Sequence, residues 1–171
     1  MLEKNMDILV KETREHEAAE LCRIQKAAFL PLYESYHDDG NPYLRGEEDI
    51  TDRLNTDRFR YFTIFLDGEI AGGVLYRCKG ETPFTDDLEK GQYYLQRIYI
   101  SPEHQGKRIA QTAILLCEKD LPGAKCFLVD FPQDLTQNKR CYVKAGFTDT
   151  GKRLEVQPGL VLACYEKILN E

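Results

Sequence analysis

The stretch LQRIYISPEHQGKRIA, Leu95–Ala110, decides the fold. Its first half is rich in β-branched and aromatic residues and reads as a strand. Ser101-Pro102 then turns the chain into a short loop. That loop, Gln105-Gly106-Lys107-Arg108-Ile109-Ala110, opens directly onto a helix. Unpaired N–H groups at a helix start attract anions, and Lys107 and Arg108 add formal positive charge at the same place. A strand running into a cationic helix N-terminus is suited to cradle a pyrophosphate. Spacing alone also allows a plain turn eased by Gly106, with both cations solvated. Neither the Gly-Lys-Ser/Thr of a P-loop nor a GxGxxG dinucleotide fingerprint is present.

The segment resembles the acyl-CoA-binding motif of the GNAT superfamily of N-acetyltransferases, Q/R-x-x-G-x-G/A. Gln105 matches its first position and Ala110 its last, while Arg108 stands where the family usually has glycine. Arg97–Pro102 resembles the strand and turn that precede the motif. Downstream, the run from Asn138 through Tyr142 to Gly146-Phe147 resembles the family's N…Y…GF helix end.

Composition fits one enzyme-sized domain over residues 1–171, with its core at about 6–169. Hydrophobic residues make up 42% and charged residues 30%, which is ordinary for a globular protein. A net charge of −6 argues against a general nucleic-acid binder. No run of apolar residues is long enough to span a membrane. The N-terminus, MLEKNMDILVKETREHE, does not read as a signal peptide. The cysteines, Cys22, Cys78, Cys117, Cys126, Cys141 and Cys164, show no CxxC or Cys/His spacing of a metal site. They read as small apolar residues in a reducing, cytoplasmic setting, with no metal expected.

Alternating elements follow along the chain. Met6–Glu12 reads as a strand, and Thr13 as the N-cap of a helix whose apolar face includes Ala18, Leu21, Cys22, Ala28 and Phe29. Pro31 is expected to stop that helix, leaving Leu32–Gly46 as an aromatic, turn-rich segment. Glu47–Arg58 reads as a second, polar helix. Tyr61–Leu66 and Ile70–Cys78 flank Asp67-Gly68, a strong hairpin signal. Lys79–Lys90 reads as a loop, Gln92–Ile100 as a long strand, Lys107–Lys119 as a helix and Cys126–Phe131 as a central strand interrupted only by Asp130. Leu135–Ala145 is a helix closed by Gly146, and Phe147–Gly151 with Leu160–Ile168 close the sheet.

That order is also the order of the GNAT fold. The resemblance therefore implies an α+β, three-layer α/β/α architecture with a mixed central sheet of about seven strands and a splay between strands four and five. It implies acetyl-CoA as cosubstrate, its pantetheine arm lying in the splay along the backbone of Ile98, Tyr99 and Ile100. The pyrophosphate would rest on Gln105, Gly106, Lys107, Arg108, Ile109 and Ala110. Arginine at 108 can adopt right-handed helical angles with its side chain in solvent or on a phosphate, or its presence can weaken the cradle.

Asn138 and Tyr142 are four residues apart and share a helix face. The resemblance assigns Asn138 to the cofactor site and Tyr142 to protonation of the departing thiolate, a task that a phenol of pKa about 10 suits. Packing of Tyr142 as ordinary core is the alternative.

No general base is legible. Gln96 lies near the place where relatives often carry a carboxylate, Glu81, Asp86 and Asp87 sit in a loop, and His16, His37 and His104 offer little. Tyr33, Tyr36, His37, Asp38, Asp39 and Tyr43 fall in the segment that sets acceptor specificity in the family; they suit a cationic amine or, alternatively, cap the core edge. The expected function is acetyl transfer from acetyl-CoA to a primary amine, on a small molecule or peptide, by direct attack on the thioester. The expected partners include neither nucleic acid nor membrane, and a homodimer is compatible. The alternative is a catalytically silent acyl-CoA-binding or regulatory module on the same fold.

Overall fold

A computed structural model describes residues 6–169; the first five residues of the N-terminal stretch, and the last two of the chain, lie outside them. The β-rich runs become one 7-stranded sheet. Its strands are β1 (Ile8–Glu12), β2 (Phe59–Leu66), β3 (Glu69–Arg77), β4 (Gln92–Ile100), β5 (Cys126–Pro132), β6 (Thr148–Gln157) and β7 (Leu160–Ile168), in the order β1-β2-β3-β4-β5-β7-β6. All neighbours are antiparallel except β4 and β5, which run parallel. A parallel pair needs a crossover, and α3 (Ile109–Lys119) supplies it. The remaining α-helices are α1 (Ala18–Tyr36), α2 (Glu47–Thr51) and α4 (Thr136–Lys144).

Side chains alternate across each strand, so one sheet serves two cores. Leu75 and Tyr99 pack with Ala18, Leu21, Ile24 and Ile50 under α1 and α2. Val74 and Tyr76, on the other face, pack with Ile109, Ala113, Ile114 and Tyr142 of α3 and α4. The architecture is the expected three-layer α+β fold.

Four local expectations need correction. Pro31 does not stop the first helix, which continues to Tyr36. The missing N–H frees the carbonyl of Ala27, but Ala27 and Pro31 are both exposed, so water can satisfy it. The helix ends at His37, whose left-handed φ of 50° caps it and whose N–H donates to the Tyr33 carbonyl. Thr13 is not an N-cap: its hydroxyl meets that of Thr63 at 2.9 Å, and the Glu17 carboxylate instead accepts from the Arg14 N–H at 2.8 Å. The second helix is a single short turn, Glu47–Thr51; beyond it the chain tightens, with the Arg53 N–H on the Ile50 carbonyl at 3.0 Å and the Leu54 N–H on the Thr51 carbonyl at 3.2 Å, while Leu54 still packs on the core that holds Ile50. At the far edge β6 runs past Gly151 to Gln157; Gly151, at φ 85°, takes up a bulge that the Asp149–Arg153 ion pair spans at 2.7 Å. Asp67 and Gly68 both take positive φ in the β2–β3 turn, as their sequence requires.

Polar contacts fix the layers against each other. Arg97 on β4 is buried and donates to Asp49 of α2 at 2.5 Å and to Gln25 of α1 at 3.3 Å. Burial pushes the Asp49 carboxyl upward, yet Arg97 and Arg53 together hold it below its ordinary range. Lys167 of β7 donates both to Glu118 of α3, at 2.6 Å, and to the last carbonyl region of α4 at Ala145, at 2.8 Å. All six cysteines are free thiols.

Gly72 and Gly73 let β3 and β4 approach closely. A Cβ on Gly72 would sit 2.0 Å from the Tyr99 carbonyl oxygen, and one on Gly73 would sit 2.6 Å from the Tyr99 hydroxyl. Gly72→Ala must therefore displace backbone, and the protein should lose about 3 kcal/mol or more. Urea unfolding checks this; a midpoint equal to wild type would mean that the two strands yield freely.

Candidate active site

The β4–β5 ladder holds only from Gln92↔Cys126 to Leu95↔Val129. Beyond that couple the strands part. β4 stays paired with β3 as far as Ile100, and β5 stays paired with β7 as far as Pro132, so each strand keeps one neighbour and loses the other. The result is a V-shaped cleft through the sheet. Its walls are backbone groups that have no strand to bond.

The Ser101 N–H donates to the Ala71 carbonyl of the β3 side at 2.8 Å. Ladder alternation then turns the backbone groups of Ile98 and Ile100 toward the cleft and those of Tyr99 toward β3. The Tyr99 carbonyl does lie against Gly72, and its hydroxyl shares a 2.6 Å hydrogen bond with Tyr61 under α1. Ile98 and Ile100 thus face the cleft with their backbone, whereas Tyr99 braces the strand from behind.

At the open end of β4 a short 3₁₀ turn, Pro102–His104, leads to Gln105. The Gln105 side-chain amide reaches back and donates to the Ile100 carbonyl at 2.9 Å, closing the loop on the strand. Gly106 follows at φ 83° and Arg108 at φ 62°, ψ 18°. Among the described residues, no acceptor is found for the N–H groups from Gly106 to Gln111; the first helical bond is Thr112 N–H to the Arg108 carbonyl at 3.2 Å. Gly106, Lys107 and Arg108 are exposed, while Ile109 is buried and pins the helix to the core. Ala110 sits at the first turn, half-buried against the same core. A run of free N–H groups with two cations beside it is suited to hold an anion.

Arg108 is not in the right-handed conformation that the sequence allowed. The chain must swing from extended Gln105 through Gly106 into α3, and position 108 takes up the last of that turn in the left-handed region. Glycine enters that region freely; arginine does so at a cost of about 1–2 kcal/mol.

Tyr142 comes from α4, where it is the only buried residue. Its ring packs on Phe131 of β5 at 5.1 Å and on Phe147 at 5.9 Å. Its hydroxyl has no hydrogen-bond partner among the described residues, and burial raises its pKa, so it is a protonated phenol at any ordinary pH. Asn138, one turn earlier, is half-buried. The helix closes at Gly146, φ 104°, with the Phe147 N–H on the Tyr142 carbonyl at 2.9 Å.

On the opposite face of β5 lies a carboxylate that the sequence reading passed over. Asp130 is the first β5 residue beyond the last paired couple, and its Oδ2 accepts from the Tyr94 hydroxyl of β4 at 2.6 Å. The signal was present as the lone acid in an apolar strand. Gln96, across the parting on β4, has a buried Oε1 with no hydrogen-bond partner. Glu81, Asp86 and Asp87 are exposed on their loop. Tyr33 stacks on Tyr43 at 5.1 Å and meets His37 at 5.3 Å, so the aromatic segment largely packs on itself. Gln157, at the β6–β7 turn, donates to the Tyr36 carbonyl at 2.8 Å and ties that segment to the hairpin.

The acetyltransferase (GNAT) family model matches residues 19–147. No curated protein matches the sequence. Among solved structures, the chain is similar to the PaiA N-acetyltransferase of Thermoplasma acidophilum in complex with coenzyme A, at 15% identity over 95% of this chain and 99% of that one, TM-score 0.71. It is similar to the aminoglycoside acetyltransferase AAC(6')-Ib in complex with ribostamycin and coenzyme A, at 15% identity over 94% of this chain and 93% of that one, TM-score 0.73. A spermidine N-acetyltransferase chimera carrying Vibrio cholerae sequence matches at 14% identity over 94% and 95%, TM-score 0.70. At these identities the likeness is one of fold.

The strained cradle residue yields a stability test. Arg108→Gly relieves the left-handed backbone and should stabilise the free protein by up to about 1 kcal/mol, net of the greater freedom of glycine in the unfolded chain. A urea midpoint at or below wild type would show that Arg108 is unstrained.

Proposed function

The chain belongs to the acetyltransferase (GNAT) family, and from that premise we propose that it is an acetyl-CoA-dependent N-acetyltransferase acting on a primary amine. The observation that carries this reading is the joining of cleft and cradle. The backbone of Ile98 and Ile100, which has no strand partner on the cleft side, leads directly, through one short loop, to the free N–H groups at the start of α3. An extended pantetheine arm needs the first and a pyrophosphate the second. Lys107 and Arg108 suit the phosphates by charge, and Arg108 by its fork of donors.

In this reading the amine attacks the thioester carbon directly. The Ile98 N–H, preorganised on the cleft wall, stabilises charge on the thioester oxygen. The Tyr142 phenol donates its proton to the sulfur as the carbon–sulfur bond breaks. Asn138, on the same helix face, supports the cofactor arm. The solved structures named above are themselves called N-acetyltransferases or bind aminoglycoside, which favours an amine acceptor here. The free thiols suit a reducing, cytoplasmic setting. A silent acyl-CoA-binding module is the second reading, favoured by Gln96, which cannot take a proton, and by strained Arg108.

Acetyl-CoA binds only the native cleft, so at a hundredfold excess over its Kd it should stabilise the fold by ~2.7 kcal/mol. That is roughly 5–10 °C in Tm for a domain of this size. CoA release should accompany it with at least one member of an amine panel. A shift without any turnover favours the silent module, and the absence of a shift at millimolar CoA overturns both readings.

Tyr142→Phe keeps the ring on Phe131 and Phe147 and removes only the free hydroxyl. Its kcat should fall by ~10²-fold or more, with CoA affinity near wild type. A change confined to the KM of the amine would make Tyr142 a wall of the acceptor site instead.

A further inference from the structure

We propose that Asp130 is the general base of the acetyl transfer, receiving the proton of the acceptor's ammonium group from the α1–α2 side of the cleft. The inference rests on the transferase reading and supplies the group that the sequence left unassigned.

Position is the first argument. Asp130 follows Val129, the last β5 residue paired with β4, so it stands at the floor of the cleft where the strands part. Val129 and Phe131, its chain neighbours, belong to the core under α3 and α4, and Phe131 carries the ring of Tyr142. Strand alternation therefore turns the Asp130 carboxylate to the other face, beside Tyr94 and Leu128. The proposed acid and the proposed base approach the thioester from opposite faces of the sheet. An amine must arrive from the side that the α3–α4 core does not fill.

Electrostatics is the second. Tyr94 donates to Oδ2, and among the described residues no cation pairs with the carboxylate. The titratable groups around it are the Tyr94 phenol on β4, the Tyr142 phenol on α4 and the Cys164 thiol on β7, all uncharged at neutral pH. On the loop before β4, Leu88 packs with Tyr94 and Leu128, while its neighbours Asp86 and Asp87 are exposed. A half-buried carboxylate with no cation is a complement to an incoming ammonium group. Burial lifts its pKa to about 6 against the opposing effect of the Tyr94 hydrogen bond. It is thus ionised at pH 7–8 and a stronger base than an ordinary aspartate.

The protons balance. The ammonium gives one proton to Asp130, and the freed nitrogen lone pair forms the carbon–nitrogen bond. As the carbon–sulfur bond breaks, Tyr142 protonates the sulfur. The nitrogen's second proton makes good the one that Tyr142 supplied, and Asp130 returns the first to water.

The folded pKa lies above the ordinary aspartate value, so Asp130 costs stability as pH rises from about 4 through about 6. Asp130→Asn, which keeps an acceptor for Tyr94, should therefore melt higher than wild type at pH 8 and not at pH 4, which shows that the variant folds. The decisive experiment measures kcat and kcat/KM against pH for wild type and Asp130→Asn, on an amine that the panel identifies, with the Tm shift by CoA recorded for both. Wild-type kcat/KM should show an acidic limb near pH 6. The variant should lose that limb and about 10²-fold in kcat at pH 7.5, keep the CoA shift, and recover as pH approaches the amine's own pKa. Wild-type kcat in the variant, or a defect in the amine KM alone, overturns the base assignment while the transferase reading stands. No CoA shift and no turnover in wild type overturns that reading and this one together.

Discussion

Everything in this molecule follows from two parallel strands that cannot stay together. A ladder that stops at Leu95↔Val129 leaves the backbone groups of Ile98 and Ile100 without strand partners; Gln105 takes up the Ile100 carbonyl, and the others are costly unless they meet water or a ligand. The rest of the structure holds that opening apart. Gly72 and Gly73 draw β3 against β4, and Tyr61 clasps Tyr99 from behind. Arg97 ties β4 down to Asp49 and Gln25. On the other wall β7 keeps β5 paired to its end, and Lys167 locks β7 to α3 and α4. The split is not slack in the sheet, because each wall is braced by a different set of contacts.

Charge is placed against the average. The chain is acidic overall, with net charge −6, yet the exposed N-terminal turn of α3 presents Lys107 and Arg108 beside unpaired N–H groups. An anion at that place meets helix dipole, free donors and cations together, and these act in the same direction. Arg108 adds charge where the backbone would favour glycine. The left-handed φ of 62° is the conformational cost of that choice.

Burial acts on the titratable groups beside the cleft in different ways. Desolvation raises the pKa of Tyr142 and keeps its phenol protonated, and the same cause brings Asp130 close to neutrality without neutralising it. Elsewhere desolvation is countered: Arg97 and Arg53 hold Asp49 ionised, and Lys167 opposes the upward push on Glu118. Carboxylates with cations brace the fold here. Among the described residues, the one at the parting has none.

Sequence by itself determined the order of elements and the cationic start of α3. Gln92–Ile100 is a strand on its β-branched and aromatic content alone, Asp67-Gly68 dictates a hairpin, and Gly146 ends a helix, because these are local preferences of the backbone. The resemblance of Gln105–Ala110 and of the Tyr142 helix to one family also lies in contiguous residues. Locality fails at Pro31, where an exposed helix face lets water replace a lost hydrogen bond, and at Arg108, whose φ is set by the turn it must complete. Only the tertiary structure decided that Asp130, a blemish in an apolar strand when read in line, stands at the fork of the sheet with Tyr94. Which strand loses its partner, and at which residue, depends on contacts between segments more than thirty residues apart, and no local pattern encodes them.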